Sequence, residues 1–146
     1  MKNKVLISFV VVFFLYATFT VAQIICIVKV DATNFSNDKG YAVFELYNKA
    51  DGFVVNPKVA LKKVVTDIKG GKAHADFTGL KFGDYAVSVY HDENSNNKLD
   101  TKFGTMPLEG IALSNNASAR KGAPKFDDAK FYVNLPVVPI KLKLSY

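Results

Sequence analysis

The chain has 146 residues, of which 49% are hydrophobic and 22% are charged. This composition is typical of one globular domain with a real core and argues against a second domain. The formal charge of +6 comes largely from lysines scattered along alternating segments, which indicates solvated strand faces and argues against a nucleic-acid partner.

The first residues have the layout of a secretory signal peptide. Lys2 and Lys4 precede an uncharged apolar run over residues 5–16, and small residues follow that run. A membrane anchor is the competing interpretation, but the run is shorter than the roughly 20 residues that a spanning helix needs. We therefore predict that residues 1–22 are removed. Residues 23–146 then form one secreted or periplasmic domain that keeps no stable membrane span.

Cys26 is the only cysteine of the chain, so no internal disulfide can form. An exported domain of this kind must gain its stability from packing. The sequence QIIC lacks the small residue that normally precedes a lipoprotein cysteine. We predict a buried, inert thiol in the first strand.

Alternation of apolar and polar residues dominates the rest of the chain, and a period of two is that of β-strands. Gly70 and Gly71 indicate a tight hairpin, because glycine readily adopts positive φ. A short helix is predicted near residues 57–62, where the alternation weakens. The pattern predicts about seven strands, at residues 24–30, 41–47, 64–69, 72–77, 85–91, 130–135 and 140–146.

Leu80, Gly83 and Tyr85 form an L-x-x-G-x-Y pattern where the fifth predicted strand begins. In Greek-key sandwiches a tyrosine at this position donates a hydrogen bond from its hydroxyl group to the backbone at the corner between two sheets. The alternative is that Tyr85 is only a core residue after a turn. Both interpretations lead to an all-β fold, an antiparallel Greek-key β-sandwich of about seven strands.

The stretch HDENSNNKLD, residues 91–100, places oxygen-bearing groups at every second position directly after an apolar strand. A chain that coils around calcium presents alternate groups to the ion, as at positions 1, 3, 5, 7 and 9 of an EF-type loop. Phe103 stands where that loop has its bidentate glutamate, so the segment is no EF-hand. Glu109 or the Asp127–Asp128 pair could complete the shell from beyond the loop. The predicted metal ligands are Asp92, Asn94, Asn96, the Lys98 carbonyl group, Asp100 and Glu109.

A polar turn without a metal is the competing interpretation of the same stretch, because Asn and Asp readily hydrogen-bond their own backbone. Five oxygen donors at every second position of the segment favour a bound calcium ion over a turn without a metal. Two of the side-chain donors are charged, so we expect a dissociation constant on the order of 10⁻⁴ to 10⁻³ M.

The segment GDYAVSVYHDENSNNKLDTKFGTMPLEGIALSNNA, followed by FDDAKFYV, resembles the bacterial secreted family called domain of unknown function 2141. The resemblance covers nearly all of the predicted mature chain. It implies a small exported, prealbumin-like β-sandwich, similar to transthyretin-like or carboxypeptidase-regulatory domains, without an established activity. This chain departs from the family pattern at Ser95 and Asn97, which replace glycines, and at residues 111–113.

An enzyme is the alternative class of function. His91, Glu109 and Ser114 could gather as the acid, base and nucleophile of a small hydrolase or as a ligand-binding site. Ser114 has no nucleophile-elbow sequence around it, and His74 lies on a predicted solvent face without further zinc ligands. We therefore expect no enzyme. The sequence favours an exported binding or structural module that meets an unknown envelope or extracellular partner.

We expect the exported protein to begin at Gln23, because small residues close the apolar run before it. Intact-mass measurement of the protein from its native host checks this expectation. A cell-associated protein with the mass of all 146 residues would disprove the cleavage.

Overall fold

The computed structural model describes residues 24–103, 106–118 and 123–146, so the predicted signal peptide lies outside the described residues. Within the described part, no helix is long and apolar enough to cross a membrane. Short helical turns occur at Pro57–Val59, Ser114–Asn116 and Phe126–Ala129 (α1). The strands are β1 (Cys26–Thr33), β2 (Tyr41–Tyr47), β3 (Lys62–Thr66), β4 (Lys72–Leu80), β5 (Gly83–Asp92), β6 (Thr101–Lys102), β7 (Met106–Pro107), β8 (Ile111–Leu113), β9 (Phe131–Val133) and β10 (Val137–Lys143).

Two sheets form a β-sandwich. One sheet has the strand order β10-β1-β4, and the other has the order β3-β2-β5-β8, with β9 also paired to β5. Alternate residues of β1, β2 and β5, such as Val28, Phe44 and Val87, meet in the largest core cluster between the sheets. The all-β sandwich expected from the sequence is therefore confirmed.

The sandwich has two ends, which we call poles. At the Tyr85 pole β4 ends and β5 begins, and at the Asp92 pole β5 ends. Strand β5 runs from one pole to the other, and burying its large core-facing side chains stabilises the fold by roughly 1.5–3 kcal/mol each. This burial sets the register of β5 and thereby the position of the loop that follows Asp92.

Each of the seven predicted strands overlaps an observed one, whereas β6, β7 and β8 were not predicted. These three strands have only two or three residues, which is too short for a period to be read. The antiparallel arrangement expected from the sequence holds for the strand pairs of the described residues other than β1 and β10. Both β1 and β10 begin at the Tyr85 pole, so they pair in parallel, with Ile27 opposite Val137.

The outer face of the β3-β2-β5-β8 sheet is also covered. Tyr47 of β2 contacts Phe53 edge to face, with ring centroids 5.0 Å apart, and Phe53 contacts Phe126 of α1 in the same way at 5.7 Å. Val43, Tyr90 and Ile111 form a second apolar cluster on this face. Strands β2 and β5 are therefore buried on both faces, and the connections that cover them are part of the packed structure.

The predicted tight turn at Gly70 and Gly71 is confirmed, but the strands that it connects, β3 and β4, belong to different sheets and do not pair as a hairpin. Both glycines have positive φ, at 59° and 70°, and Lys69 and Lys72 exchange backbone hydrogen bonds across the turn. The Asp38 carboxylate accepts hydrogen bonds from both glycine N–H groups at 2.8 Å. These two bonds lower the pKa of Asp38. The turn is thereby tied to the loop before β2 at the Asp92 pole.

The tyrosine corner is confirmed as well. The Tyr85 ring is buried in the main core, and its hydroxyl group donates a hydrogen bond to the Lys81 carbonyl oxygen at 3.0 Å. This bond closes the connection between β4 of one sheet and β5 of the other. Cys26 is fully buried in β1, as expected.

We expect Tyr85→Phe to lower the free energy of unfolding by about 0.5–1.5 kcal/mol, because the hydroxyl group makes one backbone hydrogen bond that the solvent replaces only in part. Urea unfolding measures the change. Tyr132→Phe is the matched control, since Tyr132 is exposed on β9 and belongs to no core cluster of the described residues. An equal effect of the two substitutions would contradict the corner.

Candidate cation-binding loop at the end of strand β5

Asp92, the last residue of β5, organises the loop that follows it. Its side chain is fully buried, and the backbone of Asp92 pairs with Tyr41 of β2. The two carboxylate oxygens accept hydrogen bonds from the N–H groups of Asn96 at 2.9 Å and Asn97 at 2.8 Å. A buried carboxylate held by two backbone N–H groups pulls the loop into a tight coil around itself.

The remaining predicted ligands of the loop are hydrogen-bonded to one another. Asn94 Nδ2 donates to Asp100 at 2.7 Å, and Asn96 Nδ2 donates to the same carboxylate at 3.0 Å. The Lys98 N–H group donates to Asn96 Oδ1 at 2.8 Å. The side chains of Asn94, Asn96 and Asp100 therefore meet on one side of the loop, and the two amides neutralise part of the negative charge of Asp100. Lys98 takes part through its N–H group, so the role of its carbonyl group as a ligand stays a prediction.

Glu109 joins the two ends of the loop from outside it. Its carboxylate accepts a hydrogen bond from Glu93 N at 3.1 Å and another from Asp100 N at 3.0 Å. Burial raises the pKa of Glu109 most, the two N–H bonds oppose this shift, and the charges of Asp100 and Asp92 add to it. Three carboxylates therefore lie close enough to interact electrostatically.

The other predicted candidates for completing the shell, Asp127 and Asp128, lie on α1. The Asp127 carboxylate pairs with Lys130 at 2.9 Å, and the helix packs through Phe126 and Ala129 against the outer face of the sheet. Of the two alternatives, Glu109 is the one that the structure brings to the loop.

Ser95 and Asn97 have left-handed backbone conformations, with φ of 59° and 61°. Glycine adopts this region without strain, asparagine tolerates it, and serine does so at some cost. The two positions are those at which the resemblance implied glycine. The loop of this chain therefore keeps the glycine-type backbone with side chains that stiffen it.

The donor set suits a large, hard cation better than a soft one. Within residues 24–103, 106–118 and 123–146, no group of three or more His, Cys, Asp or Glu side chains is placed to hold a metal. The loop instead mixes carboxylates with asparagine amides, whose oxygen and nitrogen exchange places by a rotation of the side chain. Calcium takes six to eight oxygen ligands from such mixed sets, whereas magnesium demands a strict octahedron.

A network that the sequence did not predict supports the loop from below. His91 is buried, and its Nε2 donates to the Lys39 carbonyl oxygen at 2.8 Å, so Nδ1 accepts a hydrogen bond from the Tyr146 hydroxyl group at 2.8 Å. The same hydroxyl oxygen accepts a bond from Ser36 N at 2.8 Å. Three distant segments thus meet beside Asp92.

Two glycines permit this close packing. The Tyr146 ring lies directly over Gly110, where any Cβ atom would overlap the ring, and this contact positions the residue next to Glu109. Gly40, with φ of 65°, lies against the Asp92 carbonyl oxygen, where a side chain would also collide. No local sequence signal marks either contact, because each joins segments far apart in the chain.

The structure does not join His91, Glu109 and Ser114 into one site. Ser114 is buried in the gap between β8 and β9, where its hydroxyl group accepts a bond from Val87 N at 2.9 Å and donates to the Ala129 carbonyl oxygen at 2.6 Å. Among the described residues, the hydrogen bonds of these three side chains connect none of them to another. Strand β5 pairs with β9 up to Tyr85 and with β8 from Ser88 onward, and the Ser114 hydroxyl group accepts the hydrogen bond of the Val87 N–H group between them.

His74 lies on the solvent face, as expected from its alternation with two alanines. Its ring nitrogens contact Asp31 at 2.8 Å and Asp76 at 2.9 Å. The hydrogen bond to Asp31 is the largest cause that raises the pKa of His74. This arrangement is a surface ion-pair group on the outer face of β1 and β4.

Glu45 is a buried carboxylate that the sequence analysis missed. It accepts a bond from the Tyr47 hydroxyl group at 2.6 Å, and Lys63 Nζ lies 3.9 Å from its Oε1 atom. Within the described residues, Oε1 has no hydrogen-bond partner. Burial and the charge of Glu45 raise the pKa of Tyr47. The alternation of apolar and polar residues in β2 places Glu45 on a face that the sequence predicts to be exposed. This pattern does not indicate that the outer face of β2 is covered.

The fold and the loop define a small two-sheet β-sandwich that carries an acidic, asparagine-rich polar loop at one pole. The family model described as "Uncharacterized protein conserved in bacteria (DUF2141)" matches residues 30–141, and the chain belongs to this family. The comparison with curated proteins found no match, and neither did the comparison with solved structures. The resemblance noted in the sequence is therefore confirmed.

We expect Tyr146→Phe to loosen the Asp92 loop, because His91 Nδ1 and Ser36 N–H lose their shared partner while the ring stays over Gly110. The change should lower the free energy of unfolding by about 1 kcal/mol. It should also speed hydrogen exchange of the Asn96 and Asn97 amides.

Tyr85→Phe is the control for this experiment, since it removes a tyrosine hydroxyl group at the opposite pole. It should leave exchange of the two loop amides unchanged. Exchange that is equally fast in both variants would show that the loop responds to global stability and not to the His91 network.

Proposed function

We propose that the protein is an exported β-sandwich module that binds calcium in the Asp92 loop and presents the stiffened pole to an envelope or extracellular partner. One observation carries the proposal. The side chains of Asp92, Asn94, Asn96, Asp100 and Glu109 belong to one hydrogen-bonded group at the end of a strand that is buried on both faces.

Electrostatics supports a bound cation. Asp92, Asp100 and Glu109 bring three carboxylates together, and the charges of the first two raise the pKa of the third. A divalent cation offsets this repulsion more fully than the two asparagine amides do. Because no three carboxylates of the described residues are placed to hold a metal as they stand, the proposed complex requires the carboxylates to draw in around the ion and the Asn94 and Asn96 side chains to turn their oxygens toward it.

The mixed donor set supports calcium of modest affinity. Two of the proposed side-chain ligands within the loop are charged, Asp92 and Asp100, and Glu109 adds a third from beyond it. A site with few charged ligands suits the calcium concentrations outside the cytoplasm, with a dissociation constant on the order of 10⁻⁴ to 10⁻³ M. The lysine-led apolar run before residue 23 supports this location, because it has the layout of a signal peptide.

The hydrogen bonds of the polar side chains favour a binding or structural role over catalysis. His91 bonds to Lys39 and Tyr146, Ser114 bonds to backbone groups, and Glu109 bonds to the two ends of the loop. Each of these groups has a partner that fixes a loop or a strand end. Rigid support of a surface loop is what a binding module requires.

We expect calcium to raise the free energy of unfolding by RT ln(1 + [Ca²⁺]/Kd), which is about 1.4 kcal/mol when calcium is tenfold above Kd. Magnesium should stabilise less, because it demands a strict octahedron. Thermal unfolding in EDTA and in millimolar calcium measures the difference.

Asp100→Asn should shrink the calcium response while it keeps the shape of the side chain. It is the sharper variant, since Asp92 is fully buried and holds two backbone N–H groups that any substitution would disturb. Asp128→Asn on α1 is the control and should respond to calcium like the parent chain. If calcium and EDTA give the parent chain the same unfolding midpoint, the loop is only a polar turn and the proposal fails.

A further inference from the structure

Three segments of the chain meet at the surface of the Tyr85 pole. Residues 24–27 lead into β1, residues 80–83 pass from β4 to β5, and residues 132–137 pass from β9 to β10. Strand β1 lies between the other two segments, because it pairs with β4 on one side and with β10 on the other. Ile27 N also donates a hydrogen bond to the Pro136 carbonyl oxygen at 2.9 Å. Side chains from the three segments therefore share one surface.

Five large apolar side chains of these segments are exposed by 45–66%, and we call them the Ile25 patch. Its members are Ile24, Ile25, Phe82, Leu135 and Val137. Single exposed apolar residues are common on protein surfaces, but five on adjoining segments form a patch of the kind that marks an interaction site.

Charged residues begin where the Ile25 patch ends. On the outer face of β1 and β4, Lys29 pairs with Asp76 at 3.7 Å and Asp31 pairs with His74 at 2.8 Å. Both pairs lie farther from the Tyr85 pole than Ile27 does. The outer surface is therefore apolar at the pole and charged beyond it, which suits shallow contact with the boundary of a bilayer.

The position at which the chain enters the fold favours a membrane as the surface that covers the patch. Residues 17–23 join the apolar run over residues 5–16 to Ile24, which belongs to the patch. A connection of seven residues spans at most about 25 Å. In the proposed export, a membrane that holds the apolar run therefore lies within this distance of the Ile25 patch.

The charge of the pole also favours contact with phospholipid. Residues 24–27, 80–83 and 132–137 contain a single charged residue, Lys81, which lies next to Phe82. Among the described residues, no ion pair includes Lys81. Its ammonium group can reach lipid phosphates while its alkyl stem lies along the apolar side chains.

The edge strand beside the patch disfavours a second copy of the chain as the partner. Strand β10 is the edge of its sheet, and it carries Pro139, Lys141 and Lys143 with exposed side chains. Proline lacks the N–H group that a further strand would need, and edge lysines oppose pairing between sheets.

We infer that the Ile25 patch is a membrane-docking surface, through which the Tyr85 pole rests on a phospholipid bilayer after the apolar run is removed. The inference rests on the proposed export and is independent of calcium. Strand β5 has ten residues, so the Asp92 loop at the other pole lies roughly 30 Å from the bilayer. The loop then faces away from the membrane, toward the proposed envelope or extracellular partner.

Vesicle flotation in EDTA tests the inference with the chain from Gln23 onward, which contains both sheets and every described core residue. The preceding apolar run is left out because it would bind lipid by itself. The probes are vesicles of phosphatidylcholine alone and vesicles that also contain phosphatidylglycerol. We expect binding to both, and tighter binding to the second because of Lys81.

Leu135→Ser should weaken binding to both kinds of vesicle by about tenfold, because an inserted leucine side chain supplies much of the apolar contact. Leu108→Ser is the matched control, since Leu108 is 63% exposed at the Asp92 pole and Leu135 is 58% exposed. Binding of this control should equal that of the parent chain. Lys81→Gln should reduce the preference for phosphatidylglycerol and retain binding to phosphatidylcholine.

A fluorescent label tests which pole meets the bilayer. Cys26 is fully buried, so a cysteine introduced by Leu135→Cys or by Leu108→Cys is the accessible one for an environment-sensitive dye. Vesicles should shift the emission of the dye at position 135 to the blue and leave the emission at position 108 unchanged. A blue shift at position 108 alone would overturn the inference.

Absence of vesicle binding by the parent chain would overturn the inference, and so would equal weakening by the two serine substitutions. Self-association that Leu135→Ser abolishes, without vesicle binding, would assign the patch to a second copy of the chain. The unfolding midpoint in calcium and in EDTA, measured without vesicles, reports separately on the proposed calcium site. An unchanged midpoint would overturn that site and leave the membrane-docking surface standing.

Discussion

The burial of strand β5 on both faces is the constraint on which the rest of the structure depends. Its odd-numbered residues, such as Val87 and Val89, enter the core between the sheets, while Ala86 and Tyr90 meet apolar clusters on the outer face. A strand buried on both sides cannot slip by one residue without placing every side chain on the wrong face. The register of β5 therefore fixes the position of Asp92, and the polar loop begins at the end of a rigid strand.

A few specific hydrogen bonds hold the loop rigidly against the end of β5. The Asp92 carboxylate holds two backbone N–H groups, Glu109 bonds to both ends of the loop, and the His91–Tyr146 hydrogen bond supports it from below. Left-handed conformations at Ser95 and Asn97 cost some stability, and they persist because the surrounding bonds over-determine them. Strain of this kind is expected where a loop must hold its donors in one arrangement.

Much of the fold could be predicted because its signals are local. Period-two alternation predicted seven of the strands, the paired glycines predicted the tight turn between β3 and β4, and the spacing of Gly83 and Tyr85 predicted the corner. The parallel partner of β1 and the short strands β6 to β8 could not be predicted. A strand of two residues is too short to show a period. The direction of β10 follows from its starting at the Tyr85 pole, which no local sequence pattern indicates.

The sequence by itself determined which polar side chains of the loop meet one another, because Asn94, Asn96 and Asp100 are spaced at even intervals along it. Tertiary structure alone decided that Glu109 closes the loop, that Ser114 fills the break between β8 and β9, and that His91 meets Tyr146. His91 and Tyr146 are 55 positions apart, so no local pattern encodes their contact. The physical reason is that side chains distant in sequence become neighbours only when both sheets and their outer covering pack together.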